Sequence, residues 1–151
     1  MVTTLLLIII YLAFLSLGLP DGLMGVGWPE MRQTFSIPLA GAGYLTVVGT
    51  IGATIASFST GHILKKINTG QLVFISSLLT GVAILGYAFS RHFFILVLLS
   101  IPMGLGGGAV DAAMNNYIAS NFSSRHMNWL HAFWGIGAFG GPLLMTAAII
   151  Y

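Results

Sequence analysis

Two aspartates, Asp21 and Asp111, stand inside long apolar runs. A carboxylate at the centre of a membrane span costs about 2.5–3.5 kcal/mol on insertion scales, so it normally faces a cavity, a partner or a proton path. Gly104, Gly108, Asp111 and Asn115 recur at i, i+4, i+7 and i+11, which is one helical face, small and then polar. That face is expected to look into a helix bundle. Asn128, His131, Gly135 and Pro142 share a face of a later helix by the same arithmetic. Asp111, with Asp21 as a second candidate, suits uptake and release of a proton. Asn115, Asn128, His131 and Tyr44 offer hydrogen bonds along a solute path, and His131 could pair with Asp111 or with a bound ligand. Plainer roles stand beside these. Asp111 could be a neutral acid that only bonds a neighbouring helix. His131, less than one turn into its span, could cap it or sit at the interface. Asp21 follows Pro20, where a freed carbonyl or water could satisfy it.

Other chemistries fail on spacing. Gly104 to Gly108 is glycine-rich, but no Gly-Lys-Ser/Thr follows as in a phosphate loop. His126 and His131 are five apart, on different helical faces, unlike the i, i+4 histidines of a zinc-protease helix. No Gly-x-Ser-x-Gly elbow is present. Cysteine is absent, which excludes disulfides, Cys-ligated zinc and thiol chemistry. No cofactor or metal is expected, and no enzyme, since no nucleophile–base pair emerges.

The elements that must position these residues follow from composition. Of 151 residues, 57% are hydrophobic and 5% charged, against about 25% charged in soluble domains. So few charges cannot cover a water-facing surface, so lipid must be the solvent. A net charge of +2 gives no basis for a nucleic-acid partner. A bilayer core needs roughly 20 apolar residues per helix. Five runs qualify, at about 4–28, 39–63, 71–89, 93–119 and 128–151. They predict an all-α membrane protein folded as a single transmembrane helical domain over 1–151. The first run lacks a basic leader and is too long for a cleaved signal, and Pro20 is placed to kink it.

Lys65, Lys66 and Arg125 fall on one side of the membrane and Arg32 and Arg91 on the other. The positive-inside rule therefore leans to a cytoplasmic N-terminus. Trp28, Trp129 and Trp134 are expected as interface anchors. Small residues let helices approach in lipid: Gly49, Ala53, Ser57 and Gly61 form one stripe, and Gly104 with Gly108 and Gly137 with Gly141 form others.

Several segments resemble the major facilitator superfamily of transporters. Pro29-Glu30-Met31-Arg32 followed by Phe35 looks like its first outer loop. Gly61-His62-Ile63-Leu64-Lys65-Lys66-Ile67-Asn68-Thr69-Gly70 is similar to its cytoplasmic loop between helices two and three. Lys65 stands where most members carry an aspartate, a departure that bears on the conformational latch at this loop. Gly104-Leu105-Gly106-Gly107-Gly108-Ala109-Val110-Asp111, then Asn115, and the opening Met127-Asn128-Trp129-Leu130-His131-Ala132-Phe133-Trp134-Gly135 resemble the fucose-permease-type sugar porters. In that branch a fourth-helix acid is implicated in proton coupling, and Asp111 occupies the matching place; Asp21 matches a first-helix acid. Gly137 to Pro142 partly resembles the antiporter motif, but Met145 and Thr146 stand where that motif ends in two glycines.

The resemblance implies a partial N-terminal helical bundle of a longer protein, since such transporters have two six-helix halves with the site between them. The expected function is secondary active transport of a small solute, such as a sugar by proton coupling, from the cell membrane. The chain would act as a fragment or with a second chain that supplies the missing helices. The competing reading is a small membrane scaffold that docks a partner through its small-residue stripes.

Overall fold

The computed structural model describes residues 2–150. Among them are five helices and no strand: α1 (Val2–Thr34), α2 (Gly41–Ile63), α3 (Thr69–Phe89), α4 (Phe93–Asn121) and α5 (Ser124–Ile150). All five are long and apolar enough to cross a membrane, and the all-α membrane fold read from composition is the fold of the chain. The last position of the fifth apolar run, Tyr151, lies outside the described residues. Phe58, Phe74, Phe89 and Phe139 are 70–82% exposed. Rings left open to that extent suit hydrocarbon as the surrounding solvent.

Several helix ends differ from the apolar runs. Helix α1 continues without a break through Pro20 and Pro29 to Thr34, so Pro29-Glu30-Met31-Arg32 forms its last turns and not a loop. Thirty-three residues at about 1.5 Å each give roughly 50 Å, longer than a hydrocarbon core of about 30 Å. Charged residues at its end can therefore remain helical outside the lipid. Helix α5 begins at Ser124, ahead of the apolar run, because polar residues fit a first turn that lies beyond the core.

The chain forms two compact units. One is residues Arg32–Tyr117; the other joins the stretch up to Met31 with the stretch from Ile118 onward.

In the Arg32–Tyr117 unit, α2 and α4 run parallel in close backbone contact. A Cβ on Gly104 would strike the Gly49 carbonyl, and one on Gly108 would lie 2.6 Å from Ala53 Cα. Gly52 returns the contact, since its Cβ would lie 2.9 Å from the Ile101 carbonyl oxygen. Ser57 Oγ donates to the Gly108 carbonyl at 3.3 Å. Helix α3 runs antiparallel to α4: Gly106 sits against Ser76 and Thr80, and Gly86 against Leu99. Tyr87 Oη and Ser100 Oγ share a hydrogen bond of 2.6 Å. Glycine recurs along α4 because α4 is pressed by a neighbour on each of two sides. Ala56, Leu72, Ala109 and Ala113 form the buried core at one end, with Leu64 and Ile67 of the α2–α3 connection packed on it.

In the other unit, α1 and α5 are likewise parallel. Gly18 and Gly22 of α1 face Trp134, Ala138 and Pro142; Gly137 and Gly141 of α5 face Leu15 and Leu19. Each of these glycine Cα atoms lies against a carbonyl of the other helix, an arrangement that recurs at close helix–helix contacts as weak Cα–H···O bonds. The Ala138 carbonyl, which Pro142 leaves without its helical N–H, is the one that meets Gly22.

The connections are short and capped. Ile37 N–H donates to the Arg32 carbonyl at 2.9 Å and Ser36 N–H to Gln33 at 3.1 Å, the paired bonds of a Schellman cap. Ser36 takes the left-handed position at φ 53°, normally a glycine's place. Asn68 caps α3, accepting from Gln71 N–H at 2.8 Å, while Gln71 Oε1 accepts from Asn68 N–H at 3.1 Å. That reciprocal pair is a capping box.

Candidate functional site

In the Arg32–Tyr117 unit the site residues are set by α4. The positions around Asp111 that α4 buries are Ala109, Val110, Ala113 and Met114, of which Ala109 and Ala113 pack with Ala56 of α2 and Leu72 of α3. Asp111 lies on the exposed side of the same helix. Asn115, one turn on, donates through Nδ2 to Asp111 Oδ1 at 3.1 Å. Its own Oδ1 is buried without a hydrogen-bond partner. A buried acceptor left unmade costs about 1–3 kcal/mol, so this oxygen wants a donor. A primary amide carries both donors and acceptors. It can offer N–H to an ionised Asp111 or oxygen to a protonated one.

Tyr44 is 65% exposed in the first turn of α2. The pairing of Gly49 with Gly104 puts it roughly 18 Å along the helix axis from Asp111 at 1.5 Å per residue, so the structure does not bring these two together. Gly61 is exposed, with nothing within 4 Å of where its Cβ would be, and Lys65 and Lys66 are exposed on the α2–α3 connection. The small stripe on α2 therefore makes contact through Gly49, Ala53 and Ser57 and ends before Gly61.

In the α1–α5 unit, Asp21 accepts a hydrogen bond from Trp134 Nε1 at 3.1 Å. Beside the freed carbonyl or water expected after Pro20, the structure thus gives Asp21 a side-chain donor from α5. Trp134, more than two turns inside α5, bonds across to α1. Trp28, only 5% exposed, is a packed side chain and not a surface belt residue. His131 lies about two turns beyond Ser124, too deep for a cap, and meets Phe14 edge-on at 6.1 Å between ring centroids. Asn128 is exposed on the turn before it, and Gly135 has open space above its Cα.

His126 has a role that its spacing to His131 did not reveal. Its Nδ1 and Tyr11 Oη are 2.6 Å apart, and Tyr11 also stacks on Phe133 at 5.1 Å. These side chains, with Arg125 and Trp129, line an open cleft of about 420 Å³. The signal in the sequence was the aromatic spacing of Trp129 and Phe133, four apart on one face of α5.

Among known proteins, the chain is similar to the sodium-dependent glucose transporter 1 of Danio rerio, 23% identical over 135 residues that cover 87% of the chain and 23% of that protein. The chain thus spans less than a quarter of that relative's length. No solved structure matches at comparable significance. The profile of the Major Facilitator Superfamily matches residues 6–151, nearly the whole sequence and all five helices. With five spans of this length and apolarity, the chain is an integral, multi-pass membrane protein, and it belongs to the Major Facilitator Superfamily.

Proposed function

We propose that the chain serves secondary active transport of a small solute, a sugar driven by protons, as part of a longer or split protein. The observation that carries this reading is the Asp111–Asn115 pair, an exposed acid in an apolar helix joined to an amide with an unfilled acceptor. An acid so placed is costly, and the buried, unpaired amide oxygen wants a donor such as a hydroxyl that reaches it when the helices shift. The relative's name adds glucose as a solute and sodium as a coupling ion. Hard cations take several oxygen ligands, whereas one carboxylate beside one amide suits a proton. In this reading Asn128 and His131 line the path, and Asp21 is a second proton-accepting group. Tyr44 belongs to the outer approach, and Gly61, Lys65 and Lys66 to a cytoplasmic loop of a plasma-membrane protein whose N-terminus is inside.

The scaffold reading loses its motive, because Gly104, Gly108, Gly137 and Gly141 are already occupied by α2 and α1.

The test is hexose uptake by the complete protein in proteoliposomes, under an imposed proton gradient and, separately, a sodium gradient. Asp111→Asn should abolish proton-driven accumulation and leave solute exchange intact. Uptake that follows sodium alone overturns the proton assignment, and unchanged proton-driven uptake in Asp111→Asn removes Asp111 from the mechanism.

A further inference from the structure

Trp134 touches α1 in two ways. Its backbone carbonyl lies against Gly18, and its indole N–H reaches Asp21. Gly18 and Asp21 are three apart, so both contacts fall on one face of α1. The bonded side chains are 113 residues apart in sequence. Ala138, one turn on, holds the backbone register through Gly18 and Gly22. The two helices are therefore fixed by backbone contact, and the indole is the adjustable part of the junction.

An indole N–H can only donate. Its bond to an ionised carboxylate is roughly twice as strong as one to a neutral group. Among the described residues, the other titratable or charged groups of this unit lie at other levels from Asp21. Tyr11, Arg125 and His126 gather at the N-terminal end of the helix pair, Glu30 is more than two turns farther along α1, and His131, level with Phe14, is the one that neighbours Trp134, three residues before it on α5.

We propose that Trp134 is a positioning residue for Asp21, holding its carboxylate across the α1–α5 seam so that α5 registers whether that group is charged. This rests on the reading of Asp21 as a proton-accepting group. It assigns Trp134 a part in coupling separate from any contact with solute. Protonation of Asp21 weakens this polar tie between the two helices and frees the indole to turn. Ionisation draws it back.

The test needs no transport. In the full-length chain carrying Trp129→Phe and His131→Gln, which removes the indole beside His126 and the imidazole beside Trp134, indole fluorescence is followed against pH. A transition that disappears in Asp21→Asn and in Trp134→Phe is expected. Independently, carbodiimide labelling of Asp21, read by mass spectrometry, reports the protonated acid. Trp134→Phe keeps a ring but removes the donor, so the charged form loses support and the labelling midpoint should move up by about one pH unit, the size of one charge-assisted hydrogen bond. An equal midpoint with and without Trp134, or a fluorescence transition that survives Asp21→Asn, overturns the proposal. Failure of proton-driven uptake through Asp111 would leave both readouts unaffected, so the two readings fail separately.

Discussion

Gly104 and Gly49 meet backbone to backbone: a single added carbon on Gly104 would land on the Gly49 carbonyl. The next contact along the seam, Gly108 on Ala53, is nearly as close. Between them, Gly107 has nothing within 4 Å of where its Cβ would be. Of two adjacent glycines on one helix, Gly108 is thus held small by its neighbour and Gly107 is not.

That contrast is measurable. Gly108→Ala should destabilise by about 1–3 kcal/mol, as overpacking does, because the backbone of α2 cannot shift as a flexible side chain would. Gly107→Ala should be neutral or stabilise by roughly 0.5–1 kcal/mol, since alanine favours the helix. Thermal unfolding of both variants in the same detergent micelle checks the order.

Ser36 holds a left-handed backbone at φ 53° that its Cβ disfavours by about 1–2 kcal/mol. Ser36→Gly should therefore raise stability, by up to about 1 kcal/mol after the added freedom of the unfolded chain is counted. Ser36→Val should lower it. The melting temperatures of the two variants should fall on either side of the parent's.

The Asn68–Gln71 box predicts coupling. Asn68→Ala should cost about 0.5–2 kcal/mol. Gln71→Ala on that background should cost less than it does alone, since each side chain orders the other. A double-mutant cycle by chemical denaturation returns the coupling energy, which would be zero if the two bonds were independent.

The chain has no cysteine, so single-cysteine reporters need no prior engineering. Lys66 and Arg91 flank opposite ends of α3. With the N-terminus inside, Lys66→Cys should react with an impermeant maleimide only after permeabilisation, and Arg91→Cys in intact cells. The reverse pattern would invert the topology.

The five spans were legible because 5% charge cannot clothe a soluble surface. The ends of α1 and α5 were not, since hydropathy marks where lipid stops and a helix may go on: Pro29 to Arg32 and Ser124 to Met127 are helical outside the apolar runs. The stripe at Gly104 and Gly108 was visible as a face, but spacing within one helix carries no information about the partner helix. Gly18 and Gly22 went unnoticed for the same reason, their purpose being set by Gly137 and Gly141. Asp111 beside Asn115 followed from helical periodicity alone. Asp21 with Trp134, and Tyr11 with His126, depend on the register of α1 against α5, which a linear pattern does not contain.

Both glycine seams join helices that are not neighbours in the chain. Ser57 and its acceptor Gly108 are 51 residues apart, and Asp21 and Trp134 are 113 apart. A ribosome adds about 5–20 residues per second. During synthesis α2 therefore waits several seconds for α4, and α1 waits longer for α5. In that interval the glycine faces of α1 and α2 are without the helices that cover them in the finished fold.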